Sequence, residues 1–480
     1  MKINFLFLCL FLPLFFYNLG RTSLVDFDEA WYAEIAQNII EDRQLFLLSF
    51  NGVGYLDHPP LGFILIALSF LFFGINEFAA RFPSALLGFG SIILLYLIGK
   101  NLFNRTIATG ACLMLISSVW FIFRARSGNL DTIFVFFYLL TFYSALKVKE
   151  NYKWIYFLSI SLACVLLVKS VIGITVVLPA LAILFIRKTP INTGKIILAI
   201  VLFLIILSPW FILNYQNSGS RFTNKMIKVG LRAEDRVKPN FLEIGSSLTF
   251  TYLHLGVREW YYPALIAVVG SVPFIFKKPI LLSLYLWIFI LLFGFLTNKK
   301  TEIWHLLPLY PPLALFIAFF FYQLIHLASV PFFSFSTAFF TEKLNFKKKQ
   351  LSILTQLIFV VCLSFLAVKQ IYEFRNEIGL FNKDVSGLAA TATTAREYPQ
   401  KLFLDADYFF PQVVFYSGKN VTLIRGNVPP KNTLKGIIEL QERPFLLITE
   451  QWRLDLDKID PNKYQTISSH KGYVLLRIGN

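Results

Sequence analysis

Long apolar runs recur along the chain from Ile3 to Val368, with short polar tracts between most of them. A helix that crosses the hydrocarbon core of a bilayer needs about 20 predominantly apolar residues. The pattern therefore predicts a polytopic α-helical membrane protein with about 11–13 transmembrane helices. The expected spans lie at residues 3–19, 81–99, 106–123, 132–148, 154–168, 171–186, 196–213, 261–276, 280–297, 305–326 and 351–368.

The apolar segment Leu61–Phe73 is short for a span and is more typical of an interfacial or re-entrant helix. If it does not span, the basic tracts between the apolar runs fall on the side of Lys2, as the positive-inside rule requires. The first loop, about residues 21–80, and the C-terminal tail then lie outside the cytoplasm. Lys169 and Lys300 also lie on that outer face, where the binding of an anion would explain them.

The composition changes from about Gln370. Short β-rich runs such as KLFLDA, VVFYSG, NVTLIRG, FLLITE and YVLLRIG alternate with turn signals, and TLKGIIELQE between them has helical spacing. We predict a transmembrane domain over residues 1–369 and a small extracytoplasmic α/β domain over residues 370–480.

Composition agrees with a protein of the cell membrane, inner or plasma. The chain is 56% hydrophobic and only 15% charged, with a mean hydropathy of +0.63, whereas charged residues form about a quarter of a soluble domain. In a soluble protein the net charge of +17 would point to nucleic acid. Here the basic residues sit in short tracts between apolar runs, so we predict contact with membrane lipids and no nucleic-acid partner.

The stretch VDFDEAWYAEIAQNII (Val25–Ile40) follows the first apolar run and carries four carboxylates. Its apolar residues have helical spacing, which predicts an amphipathic helix along the membrane surface. Asp28 and Glu29 would lie at the N-terminal end, where the helix dipole favours negative charge. Asp28 either caps this helix or takes part in chemistry. Asp26 and Glu34 are predicted to be ordinary solvated charges.

The segment GYLDHPPLG places Asp57 and His58 before two prolines that suit a stiff turn into a helix. A carboxylate beside an imidazole can ligate a divalent cation or hold a phosphate. The simpler interpretation is a polar turn. Both interpretations remain open at this point.

The segment RARSGNLDTIF lies on the same predicted face. Asp131 begins a membrane helix, and Arg124 and Arg126 close the preceding one. The simpler interpretation is a capping aspartate and two arginines whose side chains snorkel to the interface.

Two later segments add charges on the outer face. Lys300, Glu302 and His305 lie in NKKTEIWHLLPLYPPLAL, and Arg232 lies in a long loop. Taken together, acids, imidazoles and cations collect at the mouths of several helices, which suits an anionic, lipid-linked substrate. Cations would hold a phosphate, and a carboxylate remains to act as a base or to stabilise a cationic, sugar-like transition state.

The order of the motifs resembles bacterial membrane glycosyltransferases of family 39, which include protein O-mannosyltransferases and the aminoarabinose transferases that modify lipid A. The resemblance covers about residues 1–327 and is densest over Asp28–Phe137. The segment FTNKMIKVGLRAEDRV lacks the EH…RF-like signature expected of the aminoarabinose transferases, so lipid A is not favoured as the acceptor. The motifs are DEAWYAEIAQNI, GYLDHPPLGFILI, FGINEFAARFPSALLG, LYLIGKNLFNR, LDTIFVFF and LLPLYPPLAL.

This resemblance implies a GT-C fold with a large first extracytoplasmic loop and a sugar donor linked to polyprenyl phosphate. It implies that Asp28 is the catalytic carboxylate and that Asp131 borders the site. We predict that Glu29 supports Asp28 and that all three are catalytic residues. Asp57 would lie near the donor or a divalent metal cation. The donor phosphate would be held by His58, Lys300 and Arg232.

We therefore predict an inverting glycosyltransferase that uses a polyprenyl-phosphate sugar donor and a lipid, glycan or protein acceptor. The alternative is a transporter or flippase of lipid-linked glycans, which would use the same cations without chemistry. Transporters commonly have internal repeats and broken helices near the midplane. The sequence shows no such repeat, and its candidate polar residues cluster at one membrane face.

Overall fold

A computed structural model describes residues 9–230, 235–236, 247–298, 300–340, 348–424, 444–457 and 459–479. This part of the chain is mainly helical and ends in a small mixed sheet. The contacts between residues divide the chain into two compact units. The first unit comprises residues 1–17, 56–62 and 84–381, and the second comprises residues 18–55, 63–83 and 382–480.

The helices are, in chain order, α1 Leu12–Phe16, α2 Asp28–Glu41, α3 Leu61–Phe73, α4 Glu77–Leu102, α5 Arg105–Ser117, α6 Val119–Ala125, α7 Asp131–Val148, α8 Trp154–Lys169, α9 Val177–Ile186, α10 Thr193–Ser218, α11 Ser220–Lys225, α12 Leu248–Val257, α13 Tyr261–Gly270, α14 Leu281–Leu296, α15 Tyr310–Phe340, α16 Lys348–Glu373, α17 Gly387–Ala395, α18 Pro411–Ser417 and α19 Gln451–Asp457. Two 3₁₀ segments, Ser170–Val176 and Ile303–Leu309, follow α8 and precede α15.

Several of these helices match predicted membrane spans. Within the described residues, five helices are long and apolar enough to cross a membrane, or six if α5 and α6, which meet at an angle of 71°, form one bent span. Shorter apolar helices occupy Leu61–Phe73, Trp154–Lys169, Val171–Ile186 and Leu281–Leu296. The chain is thus a multi-pass membrane protein, and the total of about 11–13 spans stays a prediction.

In the first unit, buried arginines bind backbone carbonyls. The Arg126 guanidinium, at the end of α6, donates to the carbonyl oxygens of Leu14 at 2.9 Å and Tyr17 at 2.8 Å. It also reaches the carbonyls of Ile378 at 3.3 Å and Gly379 at 3.4 Å. Arg126 is 7% exposed, so the expectation of a snorkelling side chain is wrong for this residue. Its charge is satisfied inside the protein by carbonyl dipoles.

The second unit contains a five-stranded sheet in the order β4-β3-β5-β7-β6. Strands β3, β4 and β5 are parallel, whereas β7 runs antiparallel to β5 and to β6. A separate hairpin pairs β1 with β2. The strands are β1 Ser49–Phe50, β2 Val53–Gly54, β3 Leu402–Leu404, β4 Val421–Leu423, β5 Phe445–Glu450, β6 Tyr464–His470 and β7 Tyr473–Ile478.

Alternation along the strands gives this sheet two buried faces. Leu402, Leu404 and Leu446 pack on one face with α17 and α18. Phe403 and Leu447, which are register partners, point to the other face. The small α/β domain expected from the sequence is confirmed in its fold class.

One local prediction in this domain is wrong. The run VVFYSG is part of helix α18, because Pro411 occupies an N-terminal helical position and Gly418, with φ of +60°, ends the helix in the left-handed conformation. The segment TLKGIIELQE lies outside the described residues. The predicted boundary between residues 369 and 370 stays a prediction, and the second unit defined by contacts begins its last segment at residue 382.

Candidate functional site

The first unit contains a cavity of about 370 Å³, within the range of small-molecule sites. Its walls are largely apolar and come from the 3₁₀ segment Ser170–Val176, from α14 and from Ile303–Leu309. Ionisable side chains also line it. They are Asp57, His58, Asp131, Lys169, Arg236 and His305.

Asp131 is the most buried of these groups, at 3% exposed. One of its carboxylate oxygens pairs with the ammonium of Lys169 and the other with the guanidinium of Arg124. A carboxylate is expensive to bury unless it is paired, and here both oxygens have a cation. Arg124 is itself 8% exposed, so the expectation that it snorkels is wrong.

A tight turn ahead of α7 brings Arg124 and Asp131 together. The side chain of Asn129 is fully buried and accepts a hydrogen bond from the Asp131 backbone N–H at 2.8 Å. Its amide nitrogen donates to the carbonyl of Arg124 at 2.7 Å. Ser84 in α4 donates to the Asn129 carbonyl at 2.6 Å. Asn129 thus joins the end of α6 to the start of α7.

The 3₁₀ segment Ile303–Leu309 forms one wall of the cavity. His305 Nδ1 accepts from the backbone N–H of Glu302 at 3.0 Å, and the Glu302 side chain accepts in return from the His305 backbone. This reciprocal pair fixes the start of the 3₁₀ turn. Trp304 stacks on Arg124, with 5.2 Å from the guanidinium carbon to the ring centroid. The tryptophan holds the Arg124 head in place by a cation–π contact.

Asp57 and His58 also line this cavity. The Asp57 carboxylate forms an ion pair with Lys225 of α11 at 2.8 Å. The turn after them needs a glycine, because a Cβ at Gly62 would lie 2.2 Å from a methyl carbon of Leu130. Gly62 therefore lets the start of α3 approach the residue before Asp131.

One predicted phosphate ligand, Lys300, is not among the described residues that line the cavity. Lys300 pairs with Asp235 at 3.0 Å and its side chain is 74% exposed. Arg232 lies outside the described residues. Their roles stay predictions. Lys169 and Arg236, by contrast, line the cavity, although the sequence singled out Lys169 only as an outer-face cation that required an explanation.

The positions of the described metal-ligating side chains do not support the metal predicted at Asp57. Among the described residues, no three His, Cys, Asp or Glu side chains form a group that could hold a metal ion. Asp57 is instead neutralised by a lysine. The metal stays a prediction.

The second unit contains Asp28 and Glu29, at the start of α2. Glu29 is 5% exposed and forms a bidentate pair with Arg81 of α4, with contacts of 2.9 and 2.8 Å. The same guanidinium donates to the carbonyls of Leu19 at 2.9 Å, Thr22 at 3.0 Å and Ser23 at 3.0 Å. Arg81 thereby uses the full donor fork of its side chain. This group of contacts, here called the Arg81 clamp, fixes the segment that precedes Asp28.

Asp28 is the first helical residue of α2, because the N-cap position is occupied by Phe27 and no side chain caps the helix there. Asp28 is partly exposed, unlike Glu29. Nine of the 14 residues of α2 are buried within the protein, which the amphipathic pattern did not predict. The position of this helix along the membrane surface stays a prediction. Trp31 packs on Phe50 and Tyr32 packs on Phe63 within the second unit.

Asp26 and Glu34 are not the solvated charges expected from the sequence. Glu34 is 7% exposed, and burial raises its pKa to about 7 against the opposing hydrogen bond from Asn38. Burial also raises the pKa of Asp26 to about 6, although the Gln412 backbone N–H donates to its carboxylate at 3.1 Å. The cause is that α2 packs against α18 and the β1–β2 hairpin, which the sequence pattern of α2 does not indicate.

Comparison with known families supports the resemblance seen in the sequence. A family model described as dolichyl-phosphate-mannose-protein mannosyltransferase matches residues 57–213. An uncharacterized protein of Aquifex aeolicus is 31% identical over 230 residues, which is 46% of this chain and 45% of that protein. The undecaprenyl phosphate-α-4-amino-4-deoxy-L-arabinose arabinosyl transferase of Pseudomonas savastanoi pv. phaseolicola is 29% identical over 163 residues, covering 33% of this chain and 31% of that protein. These matches span less than half the length of either relative.

Solved structures extend the likeness over the whole chain at the level of the fold. ArnT from Cupriavidus metallidurans, in a structure bound to undecaprenyl phosphate, superposes with a TM-score of 0.71 at 16% sequence identity. The match covers 98% of this chain and 97% of that one. The GT-C fold predicted from the sequence is confirmed.

Proposed function

We propose that the chain is a membrane glycosyltransferase that transfers a sugar from a polyprenyl-phosphate donor to an acceptor. The observation that carries the proposal is the cavity of the first unit, which combines mainly apolar walls with Lys169, Arg236 and His58. A polyprenyl-phosphate sugar matches this lining, because its apolar chain suits the apolar walls and its anionic head suits the basic side chains. The choice of this donor is also supported by the family that the chain resembles and by the names of its relatives.

In this proposal Lys169, Arg236 and His58 bind the donor phosphate by charge-assisted hydrogen bonds. Asp131 holds Lys169 and Arg124 in position, because each of its carboxylate oxygens forms an ion pair with one of these cations. We therefore assign Asp131 a positioning role in place of the catalytic role expected from its family position. Lys300 and Arg232 remain candidates for further phosphate contacts.

Asp28 is the proposed base, on the strength of its family position and its partly exposed place at the start of α2. The acceptor hydroxyl oxygen attacks the anomeric carbon and forms the new glycosidic bond. The bond from that carbon to the phosphate oxygen breaks, and its electron pair leaves with polyprenyl phosphate. The hydroxyl proton passes to Asp28, with inversion at the anomeric carbon. If the acceptor is a phosphate, no proton has to be removed and Asp28 orients it.

The proposed location is the cell membrane, inner or plasma, with the second unit outside the cytoplasm. The positive-inside distribution of the lysine and arginine tracts supports this orientation. Labelling of single cysteines placed at Gly219 and Gly472 from outside, together with protection of one at Lys348, tests it. Labelling at Lys348 alone contradicts the orientation.

The test of the activity begins with the donor. Mass analysis of lipid-linked sugars in a deletion strain should show one polyprenyl-phosphate sugar accumulating. That donor, in liposomes with the purified protein and the cell's surface lipids and glycans, should be cleaved to polyprenyl phosphate as sugar appears on an acceptor. Intact donor that crosses the bilayer without cleavage would indicate the alternative, a flippase. Sugar transfer that persists in excess EDTA would contradict the prediction of a divalent metal at Asp57.

A further inference from the structure

Two aromatic rings of the second unit are exposed side by side. Phe27 is 58% exposed and Tyr408 is 55% exposed. Their ring centroids lie 6.5 Å apart with only 14° between the ring planes. Tyr408 also packs on Phe410, with 4.5 Å between the centroids, which supports it from a third ring. A single exposed aromatic ring needs no explanation, but two neighbouring ones together expose a larger aromatic area.

The backbone is strained where it presents Phe27. This residue has φ of +68° and ψ of −120°, a conformation that side chains other than glycine rarely adopt. Such strain persists only where the surrounding structure imposes it, and it concentrates at functional sites. Here Val25 N–H donates to Glu29 at 2.8 Å and Trp31 N–H donates to the Phe27 carbonyl at 2.9 Å. The strained residue is thus held between fixed neighbours, yet its ring is not used to fill the core.

Carboxylates flank this aromatic surface. Asp26 and Asp28 precede and follow Phe27 in the chain, and adjacent Cα atoms are about 3.8 Å apart. Asp26 is held by the backbone N–H of Gln412 at 3.1 Å. Tyr473 lies in the same neighbourhood, since burial and then the charges of Glu450, Asp26 and Tyr408 raise its pKa. Two carboxylates that can accept hydrogen bonds therefore adjoin Phe27 in the chain.

We propose that Phe27 and Tyr408, with Asp26 and Asp28, bind a sugar ring of the acceptor. This inference rests on the proposed function and specifies its acceptor as a carbohydrate or the sugar head of a glycolipid. The C–H groups on one face of a pyranose carry partial positive charge and pack on the negative face of an aromatic ring. The hydroxyl groups at the edge of the pyranose donate to the carboxylates, and Asp28, next to Phe27, takes the proton of the reacting hydroxyl.

The charges decide between this acceptor and others. Two carboxylates beside the rings disfavour a phosphorylated sugar by like-charge repulsion, so the bound ring is uncharged or cationic. They also disfavour insertion of the rings among acyl chains, because burying a carboxylate against hydrocarbon is costly. A serine side chain offers a hydroxyl with a single methylene group, whereas one face of a pyranose carries several ring C–H groups.

The test is a binding experiment on the full chain in lipid nanodiscs, without donor. Saturation-transfer difference NMR is recorded with the methyl glycosides of glucose, galactose, mannose and N-acetylglucosamine, with methyl glucoside 6-phosphate, and with the peptide Gly-Ser-Gly. At least one uncharged glycoside should receive saturation at its ring C–H protons. Phe27→Leu or Tyr408→Leu should weaken that binding by roughly 2- to 13-fold, the range for one aromatic contact. Phe72→Leu, which changes an 83% exposed ring of the same unit, should leave it unchanged.

Two further variants separate binding from folding. Phe27→Gly removes the ring and the backbone strain together, so it should unfold at a temperature no lower than the wild type while losing glycoside binding. Phe27→Tyr should retain binding. The inference is overturned if no glycoside receives saturation, if binding survives in both leucine variants, or if Gly-Ser-Gly or the 6-phosphate binds better than every uncharged glycoside. The binding assay contains no donor, so its result does not depend on catalysis. Glycoside binding in this assay, together with no sugar transfer in the liposome assay, would count against the proposed function and not against this inference.

Discussion

Arg81 and Glu29 meet through two parallel contacts, Nε to Oε1 at 2.9 Å and Nη2 to Oε2 at 2.8 Å, in a site where both side chains are almost fully buried. The rest of the guanidinium binds three backbone carbonyls between Leu19 and Ser23. The ion pair therefore fixes the backbone of the segment that leads to Asp28. Arg81 thus fixes Glu29 next to Asp28, a contact that the sequence did not indicate, and the predicted support of Asp28 by Glu29 stays a prediction.

Arg81→Lys should destabilise the second unit and reduce transfer. Lysine keeps the charge but cannot make the bidentate contact or reach three carbonyls, and breaking a buried pair costs about 3–5 kcal/mol. The thermal unfolding midpoint and the transfer rate at saturating donor measure the two effects. Arg21→Lys, at an exposed arginine of the same unit, should change neither. A lysine variant with wild-type stability would show that the clamp is dispensable.

Lys169→Gln should weaken donor binding. The substitution removes a cation that lines the cavity while Arg124 still neutralises Asp131. Loss of one charge-assisted contact costs about 1.5–3 kcal/mol, or roughly 10- to 150-fold in the dissociation constant. The matched control is Lys277→Gln, at an exposed lysine of the same unit. Equal donor affinity in Lys169→Gln and wild type would remove this lysine from the phosphate site.

Asp28→Asn should bind donor normally and lose transfer by about 10²–10⁴-fold, the range for one positioned proton acceptor. Asparagine keeps the size of the side chain but cannot take a proton. Asp42→Asn, at the exposed C-terminal end of the same helix, should behave like the wild type. Transfer from the purified donor in liposomes measures the difference. Full activity in Asp28→Asn would mean that another group accepts the proton.

Glu34→Gln should change how stability depends on pH. Burial raises the Glu34 pKa from 4.5 to about 7, so between these values the folded state binds more protons than the unfolded one. By linkage, this residue stabilises the fold less as pH rises through that window. The glutamine variant should unfold at a higher temperature than the wild type at about pH 8 and show little gain at about pH 4.5. Glu397→Gln, at an exposed glutamate of the same unit, should show no such difference. An equal gain at both pH values in Glu34→Gln would contradict the assignment.

Long continuous hydrophobic runs were enough to locate the five described helices that are long and apolar enough to cross a membrane. The bounds of α3 match the predicted segment Leu61–Phe73 at both ends. Helix α18 was predicted as a strand because its run of branched and aromatic residues has high β-propensity. The signals at Pro411 and Gly418 decided in favour of a helix.

The candidate site was predicted in part. Asp57, His58, Asp131 and His305 line one cavity, as their shared predicted face suggested. Asn129 and Arg81 were missed, since they act through backbone carbonyls and buried partners that no sequence spacing reveals. Both lie inside quoted motifs, RARSGNLDTIF and FGINEFAARFPSALLG, so the motifs indicated the segments but not the roles.

The carbonyl ligands of Arg126 have a consequence for how the chain is made. The guanidinium binds oxygens from residues before it and from Ile378, 252 residues later in the chain. During synthesis the arginine enters the membrane long before its last partners leave the ribosome. A nascent chain that ends before Ile378 therefore carries a cation with an incomplete set of ligands. Such an intermediate is a natural target for a membrane chaperone or a quality-control protease until the final helix of the first unit has been inserted.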